Sequence, residues 1–153
     1  MASTTLQNYE QLSYGGAASQ WVGQHQAIIS DAVATRVLLP KEAGSLCMFD
    51  RAAGTTYTLP TPVAGMTFEF ATILSVTSVG NKVITAAAGQ FLVGAVITMT
   101  IATASGAGFS ADGTTIRSIN GSGTTTGGLI GDRYKVVAVS ATQWQISGIL
   151  IGS

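Results

Sequence analysis

The sequence predicts an all-β protein, an antiparallel β-sandwich or a barrel, that follows an N-terminal arm without strands. Three observations predict this class. Short runs alternate apolar and polar residues, the runs are rich in β-branched and aromatic side chains, and turn signals recur about every 8–12 residues. We place the arm at residues 1–32 and the sandwich at residues 33–153.

The predicted strands follow one another through the second segment, separated by turns that contain Gly and Pro. The clearest is MTFEF, in which the three apolar residues share one face and Thr67 and Glu69 lie on the other. The remaining candidates are AVATRVLLP, SLCMF, TTYTL, NKVIT, AVITMTI, TTIRSI, RYKVVAV and QWQISGILI.

The longest apolar run, residues 86–106, has to be separated from a transmembrane helix. Gly89, Gln90 and Gly94 interrupt it, threonines alternate through its second half, and Lys82 is the nearest basic residue. A membrane-spanning helix typically has an unbroken apolar stretch flanked by Lys or Arg. We therefore expect two strands here and no membrane partner.

Two polar, Gly-rich segments are predicted to be exposed loops. They are SGAGFSADGTT, residues 105–115, and NGSGTTTGGLIGD, residues 120–132. Neither offers the local apolar alternation of a half-buried strand. A Gly-Asp turn at Asp132 closes the second segment.

The first 32 residues differ from the rest because they are rich in Gln and lack strand alternation. We expect an extended arm whose apolar and aromatic side chains are buried in a partner. The proposed contact residues are Leu6, Tyr9, Tyr14 and Trp21. Two alternatives remain: the arm folds back so that its aromatic residues join the core, or part of it forms a helix, against which Gly23 argues.

The composition favours an oligomer. Only 9% of the residues are charged, 46% are hydrophobic, the net charge is zero and the mean hydropathy is +0.42. So few charges would do little to prevent association, and identical copies are the simplest cover for an apolar surface. The alternative is a monomer whose surface consists of Thr, Ser and Gly.

Reactive or ligand-binding clusters are not visible in the sequence. The seven carboxylates are scattered, and one His (His25) with one Cys (Cys47) cannot supply a zinc set. Cys47 lies in an apolar run that suits a buried thiol. The seven basic residues are dispersed, so nucleic-acid binding is not expected. We therefore predict no catalytic residue, no cofactor, no metal and no enzymatic activity.

Two segments together resemble a module of tailed-phage virion proteins. The first carries an acidic residue with a Gly and then three motifs, and the second is a Gly-Asp turn, an alternating strand and a Trp strand that ends in Gly. These residues are Glu42, Gly44, FDRAAG (49–54), TYTLP (56–60), PVAGMTFEF (62–70), Gly131–Asp132 and Trp144 to Gly148. The resemblance covers roughly Val33 to Gly152, although residues 106–131 are longer and richer in Gly than the module's usual loop.

Modules of this family occur in head decoration (cement) proteins and in tail or head fibres. The resemblance implies a sandwich or jelly roll, usually trimeric. Because the chain is one module with an N-terminal segment and no long shaft, we expect a decoration protein. It would bind the major capsid protein on the outside of the phage head as a homotrimer, with the arm residues as the capsid contacts.

Two other functions stay open. The first is a receptor- or glycan-binding domain of a fibre, in which Trp144 or Tyr57 would have to form an exposed platform for stacking on sugars rather than part of the core. The second is an enzyme such as a depolymerase, which would need carboxylates that converge in space.

Overall fold

The computed structural model describes residues 26–102 and 105–153. Within these ranges the chain forms β-strands and a single turn of 3-10 helix at Pro40–Glu42. The strands are β1 (Ile28–Ile29), β2 (Thr35–Val37), β3 (Leu46–Phe49), β4 (Thr56–Thr58), β5 (Thr67–Thr72), β6 (Asn81–Ile84), β7 (Phe91–Thr100), β8 (Ser105–Asp112), β9 (Ser118–Gly121), β10 (Arg133–Ala138) and β11 (Gln143–Gly152).

The strands form two sheets that pack face to face. The larger has seven strands in the order β1-β3-β5-β10-β11-β7-β8, and the smaller has four in the order β2-β4-β6-β9. Successive strands therefore often pass from one sheet to the other, as in a sandwich. The predicted all-β sandwich is confirmed.

Strand pairing within the sheets is mixed rather than antiparallel throughout. The neighbours β3 and β5 are parallel, as are β7 and β11 and the three strands β2, β4 and β6. The strands β5, β10 and β11 pair in antiparallel fashion, and β8 and β9 join their sheets antiparallel as well. Strand direction depends on which sheet each connection reaches, and a local sequence pattern does not carry that information.

The core lies between the sheets and is rich in aromatic residues. Tyr57 of the small sheet packs against Phe49 and Phe70 of the large one, with ring centroids 5.3 and 5.6 Å apart. Phe70 stacks on Tyr134 at 5.2 Å, which continues the cluster along the large sheet. Offset and edge-to-face contacts of this kind add to the free energy gained from apolar burial.

Most predicted strands are present, but one predicted loop is wrong. Residues 105–112 form β8, which pairs with β7 over its full length. Gly, Ala and Ser have low strand propensity, so the side chains of this segment do not indicate a strand. The segment is a strand because its backbone pairs with that of β7. The second predicted loop, residues 120–132, is mostly loop after Gly121.

The apolar run 86–106 is mainly one strand, β7, rather than the two that were predicted, and of β8 it contains only Ser105 and Gly106, which were predicted as loop. The strand β7 continues through Gly94, whose φ is +112°, and the chain leaves it after Thr100. Among the described residues, the structure contains no helix long and apolar enough to span a membrane.

The end of the predicted arm is tied to the large sheet. Ile28 and Ile29 form β1, which pairs in parallel with β3 at the sheet edge. The Asp50 carboxylate accepts hydrogen bonds from the Ser30 hydroxyl (2.6 Å) and the Ala32 N–H (3.0 Å). The chain before residue 26 therefore joins the domain at the β1 edge.

Candidate functional surfaces

The carboxylates that the structure describes hold parts of the fold together. Asp31 and Glu42 both pair with the guanidinium of Arg36, and Glu69 pairs with Arg133 across neighbouring strands at 2.8 Å. These pairs are partly exposed, so each contributes at most about 1 kcal/mol to stability. Their geometry is that of structural ion pairs rather than of two carboxyl groups aimed at one bond.

Asp112 caps the turn that leaves β8. Its side chain accepts hydrogen bonds from the N–H groups of Thr114 and Thr115 at 2.9 and 2.8 Å, and from the Thr115 hydroxyl. These bonds, above all the one from the Thr115 hydroxyl, hold the pKa of Asp112 well below its usual value. The carboxylate is therefore committed to turn formation.

Asp132 is a buried junction between distant segments. It accepts hydrogen bonds from the Gly128 N–H (2.6 Å), the Thr72 hydroxyl (3.3 Å) and the Ile151 N–H. Burial raises the pKa of Asp132, although the three hydrogen bonds oppose that shift. The sequence predicts a turn role for this residue, and the structure adds that it joins β5, β11 and the loop 122–131.

Cys47 is a core residue. Its side chain is fully buried, and that burial, with a smaller contribution from Glu42, raises the thiol pKa to about 12. A thiol is a weak nucleophile until it loses its proton. His25, the one histidine, lies outside the described residues. Among the described residues, no group of three or more His, Cys, Asp and Glu could hold a metal ion.

Trp144 and Tyr57 are both buried, with 0% and 1% of their surface exposed. Trp144 packs against Phe68, and the Tyr57 hydroxyl donates a 2.8 Å hydrogen bond to the Met48 carbonyl. Neither ring can stack on a sugar at the surface. The exposed-platform interpretation of these two residues is wrong, and their alternative role in the core is confirmed.

A polar cleft of about 360 Å³ lies on the small sheet, on the face turned away from the core. Thr56, Lys82 and Asn120 form one row across β4, β6 and β9. Within residues 26–102 and 105–153, neither the Lys82 ammonium nor the Asn120 amide makes a hydrogen bond or ion pair. The cleft therefore offers donors and an acceptor to a small polar ligand.

The outer face of the large sheet carries an apolar strip, which we define as Ile97 and Met99 of β7 with Ile149 and Ile151 of β11. Ile97 is paired with Ile149 and Met99 with Ile151, so the four side chains are neighbours. Ile97, Met99 and Ile149 are 53%, 42% and 50% exposed. The sequence predicts the alternation in AVITMTI, but the structure turns Val96 and Thr98 inward and the larger apolar side chains outward.

The strand β8 runs beside this strip and is an edge strand of the large sheet within the part of the chain that the structure describes. Its outer-face residues opposite Met99 and Ile97 are Gly106 and Gly108. Because glycine has no side chain, the strip stays uncovered on this side. The sequence predicts neither the β8 edge nor the uncovered side of the strip, because both depend on which strand lies at the edge of the sheet.

The predicted capsid-contact residues Leu6, Tyr9, Tyr14 and Trp21 lie outside the described residues. The motif residues that carry the virion-module resemblance have structural roles where they are described, as Asp50 and Asp132 illustrate. Comparison with protein-family models, with curated protein sequences and with solved structures finds no match to this chain.

Proposed function

We propose that this chain is a phage virion structural protein, a decoration protein that binds the outside of the head as a trimer and stabilises the shell. A protein that binds only the assembled shell favours assembly by linkage. Several weak contacts from one trimer would add by multivalency, so no single contact has to be strong.

The observation that carries this proposal is the exposed apolar strip on a β-sandwich with very few charges. Contiguous apolar patches on soluble proteins usually mark contacts with other macromolecules. The described carboxylates and the thiol, in contrast, are occupied in holding turns, strands and the core. Contact between surfaces is therefore the function that these residues support best.

The point at which the chain enters the described domain is compatible with a bridging role for the residues that precede it. The chain before Gln26 joins the large sheet at β1, and β8 is at the opposite edge of the same sheet. With seven strands in the sheet, these edges are roughly 29 Å apart at about 4.8 Å per strand. One edge can thus contact a neighbouring copy while the arm contacts a capsid subunit.

The test is binding of the purified full-length chain to heads that lack it. We expect saturable decoration, with hundreds of copies per particle, and heads that resist heating better once decorated. Replacing Tyr9, Tyr14 and Trp21 together by Ala should abolish binding while the oligomer persists. Full occupancy by this triple variant would contradict the arm assignment, and absence of the chain from intact heads would contradict the decoration role.

A second candidate function is glycan binding by a fibre domain, which the polar cleft favours. The hydroxyl of Thr56, the ammonium of Lys82 and the amide of Asn120 are groups that bind sugar hydroxyls or carboxylates. In this case the chain would be present at a few to tens of copies per particle. Lys82→Ala with Asn120→Ala would then remove binding to the host surface glycan.

A further inference from the structure

We propose that the β8 edge and the apolar strip form a contact with a second copy of this chain. The inference goes beyond the proposed trimer, because an antiparallel contact between two β8 strands is two-fold and joins two copies, or two trimers, rather than three chains around one axis. It makes no use of a capsid partner. It can therefore be tested on the purified protein alone.

Of the four sheet edges formed by the described residues, the β8 edge is the longest. The edge strands β1, β2 and β9 have two, three and four residues, whereas β8 has eight. Proteins usually protect a long edge with Lys, Pro, a bulge or an inward-pointing charge. The strand β8 contains neither Lys nor Pro, and its one charged residue, Asp112, is the last of the strand and caps the following turn. No other strand of the described residues pairs with β8 on its outer side, so the backbone groups of residues 106–111 that point to that side are available for strand addition.

The outer face of β8 leaves room for a partner. A Cβ at Gly108 would meet no atom within 4 Å, and one at Gly106 would touch Met99, Ile97 and the Thr98 carbonyl oxygen at ordinary contact distances. A strand laid beside β8 could therefore bring its own side chains over these glycines and onto the apolar strip. Burial of Ile97, Met99 and Ile149 would add apolar area to the backbone hydrogen bonds.

Charge selects a second copy as the occupant. The chain carries no Asp, Glu, Lys, Arg or His from Val83 to Ala111, so a charged partner strand would meet no counter-charge along β8 and β7. Beyond the far side of the strip, Arg133 lies beside Ile149, and Glu69 neutralises it. The β8 edge of another copy is equally uncharged, and the net charge of the chain is zero, so two copies do not repel each other.

Self-pairing also avoids a clash between like charges. If two β8 strands pair in antiparallel fashion about Phe109, the outer faces of both copies lie on the same side of the joined sheet, and Asp112 of each copy faces Gly106 of the other. The two carboxylates then lie six residues apart along the strand direction, which is roughly 20 Å at about 3.4 Å per residue. The contact is self-complementary, as an isologous interface requires.

The test is sedimentation velocity of the full-length protein over a wide range of concentrations, with Gly108→Lys as the probe. Its matched control is Gly89→Lys, because Gly89 is also exposed, also lacks atoms within 4 Å of an added Cβ, and lies in the turn before β7. We expect the wild type and Gly89→Lys to associate alike. Gly108→Lys should weaken association at least tenfold, with an unchanged thermal midpoint for the monomer.

A second pair of variants tests the apolar strip. It also keeps the proposal testable if Gly108→Lys fails to fold. Ile97→Gln should weaken association, whereas Val63→Gln, at a similarly exposed position in the turn before β5, should not. A wild type that stays monomeric at every concentration would overturn the proposal, as would equal association of Gly108→Lys and Gly89→Lys.

Hydrogen exchange adds a further criterion: protection of β8 amides that rises with concentration supports a second copy. Concentration-independent protection points to another occupant, such as residues 1–25, and overturns it.

The two proposals can fail separately. Loss of association through β8 without loss of head binding would remove the β8 contact and keep the capsid role. Association through β8 with no binding to heads would support the contact and contradict the capsid role.

Discussion

The backbone N–H of Gly128 donates a 2.6 Å hydrogen bond to the buried carboxylate of Asp132. This bond fixes the Gly-rich loop to the beginning of β10, and the same carboxylate accepts the Ile151 N–H. Asp132→Ala would leave both N–H groups buried without an acceptor. We expect a loss of about 2–4 kcal/mol in the free energy of unfolding, measured by urea denaturation at pH 7.

Glu69→Gln is the matched control for this experiment. Glu69 is also a carboxylate of the large sheet, but its partner Arg133 is mostly exposed. An exposed pair of this kind contributes less than about 1 kcal/mol. If Asp132→Ala and Glu69→Gln lowered the free energy of unfolding by the same small amount, Asp132 would not be the junction that its geometry indicates.

Gly54 and Gly65 provide a direct comparison of backbone freedom with backbone packing. Both have positive φ, at +85° and +94°. A Cβ on Gly54 would lie 2.2 Å from the Gly80 carbonyl oxygen, whereas one on Gly65 would meet nothing within 4 Å. Gly65→Ala should therefore cost about 1–2 kcal/mol through its φ alone. Gly54→Ala should cost about 3 kcal/mol or more, because the backbone has to move as well. Similar melting temperatures for the two variants would contradict this account.

The cap formed by Asp112 predicts a dependence of stability on pH. Hydrogen bonds from Thr115 and Thr114 lower the pKa of the carboxyl in the folded chain below its value of 3.8 in the unfolded chain. Its stabilising effect is therefore present above pH 3.8 and disappears as the pH falls through the folded-state pKa. Wild type should be more stable than Asp112→Asn at pH 7, and the difference should narrow in acid. A difference that stayed constant between pH 7 and pH 2 would argue against the cap.

The Cys47 thiol should be inert in the native protein. With a pKa of about 12 and no exposed surface, it is protonated and shielded at neutral pH. A thiol reagent such as DTNB should label it only at the rate at which the chain unfolds, and at once in guanidinium chloride. Rapid labelling of the folded chain would show that β3 opens locally.

Alternation in the sequence was sufficient to predict those strands that bury one face. In MTFEF the structure buries Phe68 and Phe70 and leaves Thr67 and Glu69 partly exposed, as the period of two requires. The same reasoning failed for β8, since Gly, Ala and Ser provide no apolar period. It also missed β1, because two residues are too few to form a pattern.

The candidate surfaces depend on information that no local pattern contains. The alternation of Ile97 with Thr98 predicts a two-faced strand, but the face that meets the core depends on the side of the large sheet on which the small sheet packs. Similarly, Asp132 looks like an ordinary turn residue until Thr72 and Ile151 come into contact with it. Sequence separations of 60 and 19 residues are visible only in the folded chain.

The position of β11 has a consequence for synthesis of the protein on the ribosome. This strand lies between β10 and β7 and pairs with β7 over ten residues, from Gln143 to Gly152. The large sheet therefore cannot close until residue 152 has left the exit tunnel, and until then β7 and β10 each have one unpaired side. Most contacts of the sheet are distant along the chain, which is typical of slow folding. We expect the domain to form only after translation of this region, during an interval in which holdase chaperones would protect the exposed strands.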